Sequence, residues 1–131
     1  KLRPKEMMPP DISISYLKSF SSGDPILVAS HVTDDFENNQ MGVIGEKIKG
    51  KAAYIQRLKS FLTKFKELRY SASNIIAEAE KVAIAYDMSC SVDGHPIRMQ
   101  GVMMITISDG LISERSDYWD GLSFLKQTGM F

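Results

Sequence analysis

The residues best equipped for chemistry lie in one late stretch, Leu111 to Phe124: Leu-Ile-Ser-Glu-Arg-Ser-Asp-Tyr-Trp-Asp-Gly-Leu-Ser-Phe. It follows a Ser-Asp-Gly turn (Ser108 to Gly110) and has the pattern of a strand running into a helix start. Alternate residues of a strand share a face, so Arg115, Asp117 and Trp119 point one way and Glu114, Ser116, Tyr118 and Asp120 the other. A carboxylic acid buried beside an indole loses hydration, which disfavours its charged form and brings its pKa toward neutrality, where one group can both take and give a proton. A cation on the same face opposes this, and burial prevails only if the guanidinium is directed elsewhere. Asp117 is therefore the candidate for proton transfer and Arg115 for orienting it or meeting a polar substrate; a plain salt bridge is the competing reading. Asp120 stands where an N-cap belongs, before Gly121, Leu122, Phe124 and Leu125, and reads as structural.

The rest of the chain supplies elements to position this strand. Asp11 can cap a helix running to about Ser22, with Ile12, Tyr16, Leu17 and Phe20 largely on one face. Asp24-Pro25 starts a short helix that fades near His31, whose imidazole either caps carbonyls or shuttles protons. Asp34 to Met41 has a strand pattern, followed by a loop through Gly42, Gly45 and Gly50. In Lys51 to Phe65 the spacing of Tyr54, Leu58, Phe61, Leu62 and Phe65 predicts an amphipathic helix. Tyr70 to Ala79, Val82 to Val92, Ile97 to Ser108 and Leu111 to Trp119 follow as four strands joined by short turns, an antiparallel meander. The fold class is α+β: three N-terminal helices on a curved, mainly antiparallel sheet, with a short C-terminal helix. Residues 1–10, with three prolines, read as an extended arm and residues 11–131 as one domain.

Met99, Met103, Ile105 and Ile107 share one face of their strand while Val102 and Met104 lie on the other. Helices can cover only one side of the sheet, so the expected cover for the other is a second copy of the chain, a homodimer through the sheet face. His95 belongs to a hairpin turn and faces solvent. Asp87 is either a second cavity acid or an exposed strand residue.

Sixteen basic residues balance sixteen acidic ones, which gives no field for nucleic acid or an anionic membrane. No apolar run approaches the roughly 20 residues of a membrane span. A lone cysteine, Cys90, makes neither an intrachain disulfide nor a metal-binding spacing. The expectation is a cytoplasmic protein without metal or cofactor.

Taken together, the residues resemble the nuclear transport factor 2-like superfamily, and within it the SnoaL-like polyketide cyclases and limonene-1,2-epoxide hydrolases. The resemblance is carried by Tyr16 with Ser22-Gly23-Asp24; Gly50 with Tyr54, Arg57, Phe61 and Leu62; Gly94 and Pro96 before Gly101-Val102; Asp109-Gly110-Leu111-Ile112; and Arg115 to Asp120. It implies a cone with a ligand cavity between helices and sheet, and often a homodimer. With helix and strand periodicity it predicts a cavity bounded by Tyr16, Phe20, Tyr54, Leu58, Met99, Met103 and Trp119. Asp117 matches the late-strand acid of the hydrolases, and cyclases similarly use an acid there. The hydrolases' Arg-X-Asp pair on an earlier strand is absent, since Tyr86-Asp87-Met88-Ser89 has no arginine. Tyr16 matches the oxyanion-hole tyrosine of ketosteroid isomerases, but their base falls near Asn39 and Gln40 and their second acid near Met103. The implied function is cofactor-free acid–base chemistry (cyclisation, isomerisation or hydration) on a small apolar molecule, with a non-catalytic ligand-binding or protein-interaction domain as the alternative.

Overall fold

A computed structural model describes residues 7–42 and 45–129. Helix α1 (Pro9–Ser19) begins earlier than expected: Pro9 and Pro10 occupy its first turn, Asp11 sits inside that turn, and Met8 is the N-cap without a side-chain bond. Proline fits there because first-turn N–H groups lack helical acceptors anyway, so the extended-arm reading fails at Pro9 and Pro10; residues 1–6 lie outside the described residues. A 3-10 turn (Phe20–Ser22) ends at Gly23, whose φ of 71° is left-handed. Helix α2 (Pro25–Ala29) is capped by the Asp24 carboxylate, which accepts from the Ile26 N–H at 2.9 Å.

The chain then enters the sheet where the strand pattern over Asp34 to Met41 places it, starting two residues early. Strand β1 (Val32–Gln40) pairs antiparallel with a short β2 (Lys47–Lys49) inside the presumed glycine loop, and only then does α3 (Lys51–Lys64) form. Three N-terminal helices ahead of the sheet is therefore the wrong order: two short helices precede β1 and β2, and α3 follows them. Three residues are too few for a period-2 pattern to register. Strands β3 (Lys66–Glu78), β4 (Lys81–Val92), β5 (His95–Ser108) and β6 (Leu111–Trp119) make the antiparallel meander, closed by α4 (Gly121–Gln127). Asp93-Gly94 and Asp109-Gly110 both have positive φ at each position, as tight right-twisted hairpins demand. The six strands run in the order β2-β1-β6-β5-β4-β3, with β1 parallel to β6.

Helices cover one face of this sheet. Val82, Ile84, Tyr86 and Met88 of β4 and Ile97, Met99, Met103, Ile105 and Ile107 of β5 are buried there. On the opposite face Val102 and Met104 are 41% and 42% exposed and Tyr118 is 49% exposed. A ladder of edge-on rings, Tyr16–Phe20, Phe20–Tyr70 and Tyr70–Tyr86, crosses from α1 to β4 with centroids 5.1 to 5.2 Å apart. Phe61, Phe65, Phe124 and Trp119 link α3 through α4 to β6. Between these two aromatic series the core is left open.

Candidate active site

The opening is a cavity of about 360 Å³. Its wall takes Tyr54, Leu58 and Phe61 from α3, Tyr70 from β3, Tyr86 and Met88 from β4, Met99 from β5, and Arg115, Asp117 and Trp119 from β6, with Phe20, Asn38, Gln40 and Phe124 among the others. Parallel pairing of β1 with β6 sets Asn38 beside Arg115 and Gln40 beside Asp117. The Trp119 indole N–H donates to Gln40 Oε1 at 2.9 Å, and Gln40 Nε2 donates to Asn38 Oδ1 at 3.2 Å. Lining from Arg57 and Glu46 adds an exposed ion pair.

Asp117 is buried, and each carboxylate oxygen has a donor. Tyr86 Oη donates to Oδ1 at 2.6 Å and Arg115 Nη2 donates to Oδ2 at 2.5 Å. The guanidinium thus points at the carboxylate and not to solvent or to another acid. Arg115 Nη1 donates to Tyr16 Oη at 2.7 Å, and the Tyr16 hydroxyl also bonds that of Tyr54. Burial works to lower the Arg115 pKa, but Tyr16, Asp117 and the neighbouring tyrosines hold it well above the ordinary value. Burial, then the Asp117 charge, pushes the Tyr86 hydroxyl far up. Burial also raises Tyr70, against the pull of Arg115. All are protonated at neutral pH. Arg115 Nε is the buried side-chain nitrogen without a partner among the described residues.

The structure brings Asp117, Arg115, Trp119, Phe20, Tyr54, Leu58 and Met99 to one cavity. Three expectations do not hold. Tyr16 is fully buried but is not part of the wall; Arg115 faces the cavity in its place and uses the Tyr16 hydroxyl as a support. Met103 is paired in register with Asp117 and fully buried, yet it stays in the core cluster and does not reach the cavity. Periodicity assigns a residue to a face, not to the stretch of that face where a void opens. Asp87 is exposed on the outer face and accepts from Gln100 Nε2 at 3.0 Å, because the inward residues of β4 are the even-numbered ones. Its neighbour Tyr86 is the inward polar group, and the Val82, Ile84, Tyr86, Met88 alternation was the signal that could have identified it. Tyr70, Asn38 and Gln40 left no comparable signal. Gly101, inward on β5, makes room for Tyr86: a Cβ there would lie 2.5 Å from Tyr86 Oη.

His31 and His95 lie outside the cavity wall. His31 Nδ1–H donates to the carbonyls of Leu27 and Val28 at 3.1 and 3.2 Å, and its Nε2 accepts from Ser15 Oγ at 3.0 Å. That is a helix cap. Asp120 likewise accepts from the N–H groups of Leu122 and Ser123.

A family model for SnoaL-like polyketide cyclases matches residues 12–128. The chain belongs to that family. The fold of this SnoaL-like chain is shared with solved structures of low sequence identity. One is a protein of ketosteroid isomerase-like fold from Catenulispora acidiphila, in complex with trimethylamine (TM-score 0.85, 14% identity, 93% of this chain and 95% of that one). A second is a limonene epoxide hydrolase-like enzyme from M. tuberculosis (0.79, 16%, 91% and 87%). A third is a proposed polyketide cyclase, IdmH, from Streptomyces antibioticus (0.80, 18%, 94% and 99%). A sequence comparison with curated proteins gives no match. At these identities the likeness establishes the SnoaL-like fold; the chemistry has to be argued from the site.

Proposed function

We propose that this protein is a small-molecule enzyme that moves a proton on a largely apolar substrate without a cofactor, with Asp117 as the proton-transferring group. The observation that carries this reading is a carboxylate at the wall of an aromatic-lined cavity, with one donor on each oxygen and lone pairs still unused. An Asp so held is fixed in orientation, which is what a general base needs before its basicity matters. Arg115 and Tyr86 act as its positioning residues. The family and the enzymes among its structural relatives support a small-molecule role. Small molecules that copurify with the protein, identified by mass spectrometry, would supply a substrate. On it, Asp117→Asn should slow turnover roughly 100-fold. That substitution also strands a buried guanidinium, so binding and folding are measured separately, below the variant's unfolding midpoint. Wild-type turnover by a folded Asp117→Asn variant would remove Asp117 from the mechanism and favour a ligand-binding role.

We also propose a homodimer through the outer face of the sheet, supported by exposed Val102, Met104 and Tyr118, which lie on adjacent strands. Sedimentation should show a dimer burying at least about 1,000 Å², and Met104→Glu should yield monomers. A wild-type monomer at high concentration would end this reading.

A further inference from the structure

Accounting for protons around Arg115 fixes a direction that distances alone do not. A guanidinium carries only donors, so in its 2.7 Å contact with Tyr16 the phenol oxygen must accept. Tyr16 is completely buried, and the other partner of its hydroxyl among the described residues is Tyr54 Oη. Were Tyr54 to donate to Tyr16 as well, the Tyr16 proton would be left in the core without an acceptor, at the full desolvation penalty of that group. The opposite direction leaves the unpaired proton on Tyr54, which lines the cavity where a ligand can accept it, so Tyr16 donates to Tyr54. The Tyr54 oxygen accepts, and its own proton has no acceptor on the described protein. Tyr54 lines the cavity and Tyr16 does not.

We propose that Tyr54 is the cavity's hydrogen-bond donor to ligand: its hydroxyl, oriented by the relay Arg115 to Tyr16 to Tyr54, is presented to an oxygen acceptor on an otherwise apolar molecule. Each link strengthens the next, because a hydroxyl that accepts from a cation becomes a better donor. Burial, followed by Tyr16, holds the Tyr54 pKa well above 10.0, so the proton is present throughout the working range. The ring is fixed by packing against Phe36, centroids 4.7 Å apart, so the hydroxyl can be removed while the ring stays in place. Arg115 thereby serves two groups through different nitrogens, Asp117 through Nη2 and Tyr54 through Nη1 and Tyr16. This assignment rests on the proposed small-molecule cavity but not on Asp117 turning the ligand over.

The test uses two probes of nearly equal shape, 2-acetylnaphthalene and 2-ethylnaphthalene, of which only the first carries an oxygen. Binding of both to wild type, Tyr54→Phe and Tyr16→Phe is measured by calorimetry, and the ketone's carbonyl band by infrared difference spectroscopy. Wild type should lower the carbonyl band. Tyr54→Phe should abolish that shift and weaken the ketone about tenfold while leaving the hydrocarbon unchanged. Tyr16→Phe should keep the shift in reduced form. A shift that survives in Tyr54→Phe, or a wild type that binds both probes alike, overturns the assignment and leaves the cavity reading intact. If neither probe binds, the assignment falls together with the cavity reading.

Discussion

Arg115–Asp117 and Arg57–Glu46 both join a guanidinium to a carboxylate on the wall of one cavity, yet their side chains are 4% and 3% exposed in the first pair and 42% and 63% in the second. Water screens the exposed pair and solvates each partner when it separates, so its contribution to stability is small. The buried pair has lost that hydration, and its charges are tolerable only because each meets further polar groups: Tyr86 on the acid, Tyr16 on the base. One contact chemistry thus gives two devices. The pair open to solvent can come and go with little consequence, whereas the buried pair is fixed in place and is the one able to orient a reacting group.

Matched truncations would break this contrast most directly. Arg115→Met leaves Asp117 as a buried, uncompensated carboxylate and should destabilise the fold by about 3–5 kcal/mol. Arg57→Met should cost no more than about 1 kcal/mol. Equal losses in urea denaturation would mean that burial does not distinguish the pairs.

The tyrosines around the buried pair offer a pH test of the same idea. Tyr54, Tyr70 and Tyr86 have folded pKa values raised above the ordinary 10.0. In the unfolded chain they ionise near that value, so the folded state binds more protons once pH exceeds it. Their stabilising contribution is therefore complete below about pH 10 and is lost as pH rises through the folded values, by about 1.4 kcal/mol per pH unit for each group. Denaturation at a series of alkaline pH values should show this decline, and Tyr86→Phe should remove one group's share of the slope. An unchanged slope would place Tyr86 in contact with water.

A smaller effect sharpens the role of Tyr86. Gly101→Ala places a methyl 2.5 Å from Tyr86 Oη and 2.7 Å from the Tyr118 carbonyl oxygen, and should cost about 1–3 kcal/mol as the ring and the neighbouring β6 backbone both shift. If Tyr86 positions Asp117, the variant should also lose activity out of proportion to its stability. Full activity in a folded Gly101→Ala protein would separate Tyr86 from the site.

Much of the local structure follows from covalent geometry. Alternation along β6 places Arg115, Asp117 and Trp119 on one face, aspartates before short apolar runs cap α2 and α4, and Asp-Gly pairs turn the meander. Each is decided within a few residues, so each is legible in the sequence. The same reasoning lost β2, because three residues carry no period, and left Asp87 open between cavity and solvent, which the parity of its strand decides in favour of solvent.

Which groups meet was decided by tertiary structure. Parallel pairing of β1 with β6 joins residues 77 apart in the chain and puts Gln40 beside Asp117. Tyr86 reaches Asp117 because β5, which lies between their strands, has Gly101 where a side chain would block the way. Tyr16 and Tyr54 meet only because α1 and α3 pack over the same face. A sequence fixes the direction in which a side chain leaves its own backbone. The partner at its tip depends on strand order, register and helix packing, which are set by burying the whole core at once.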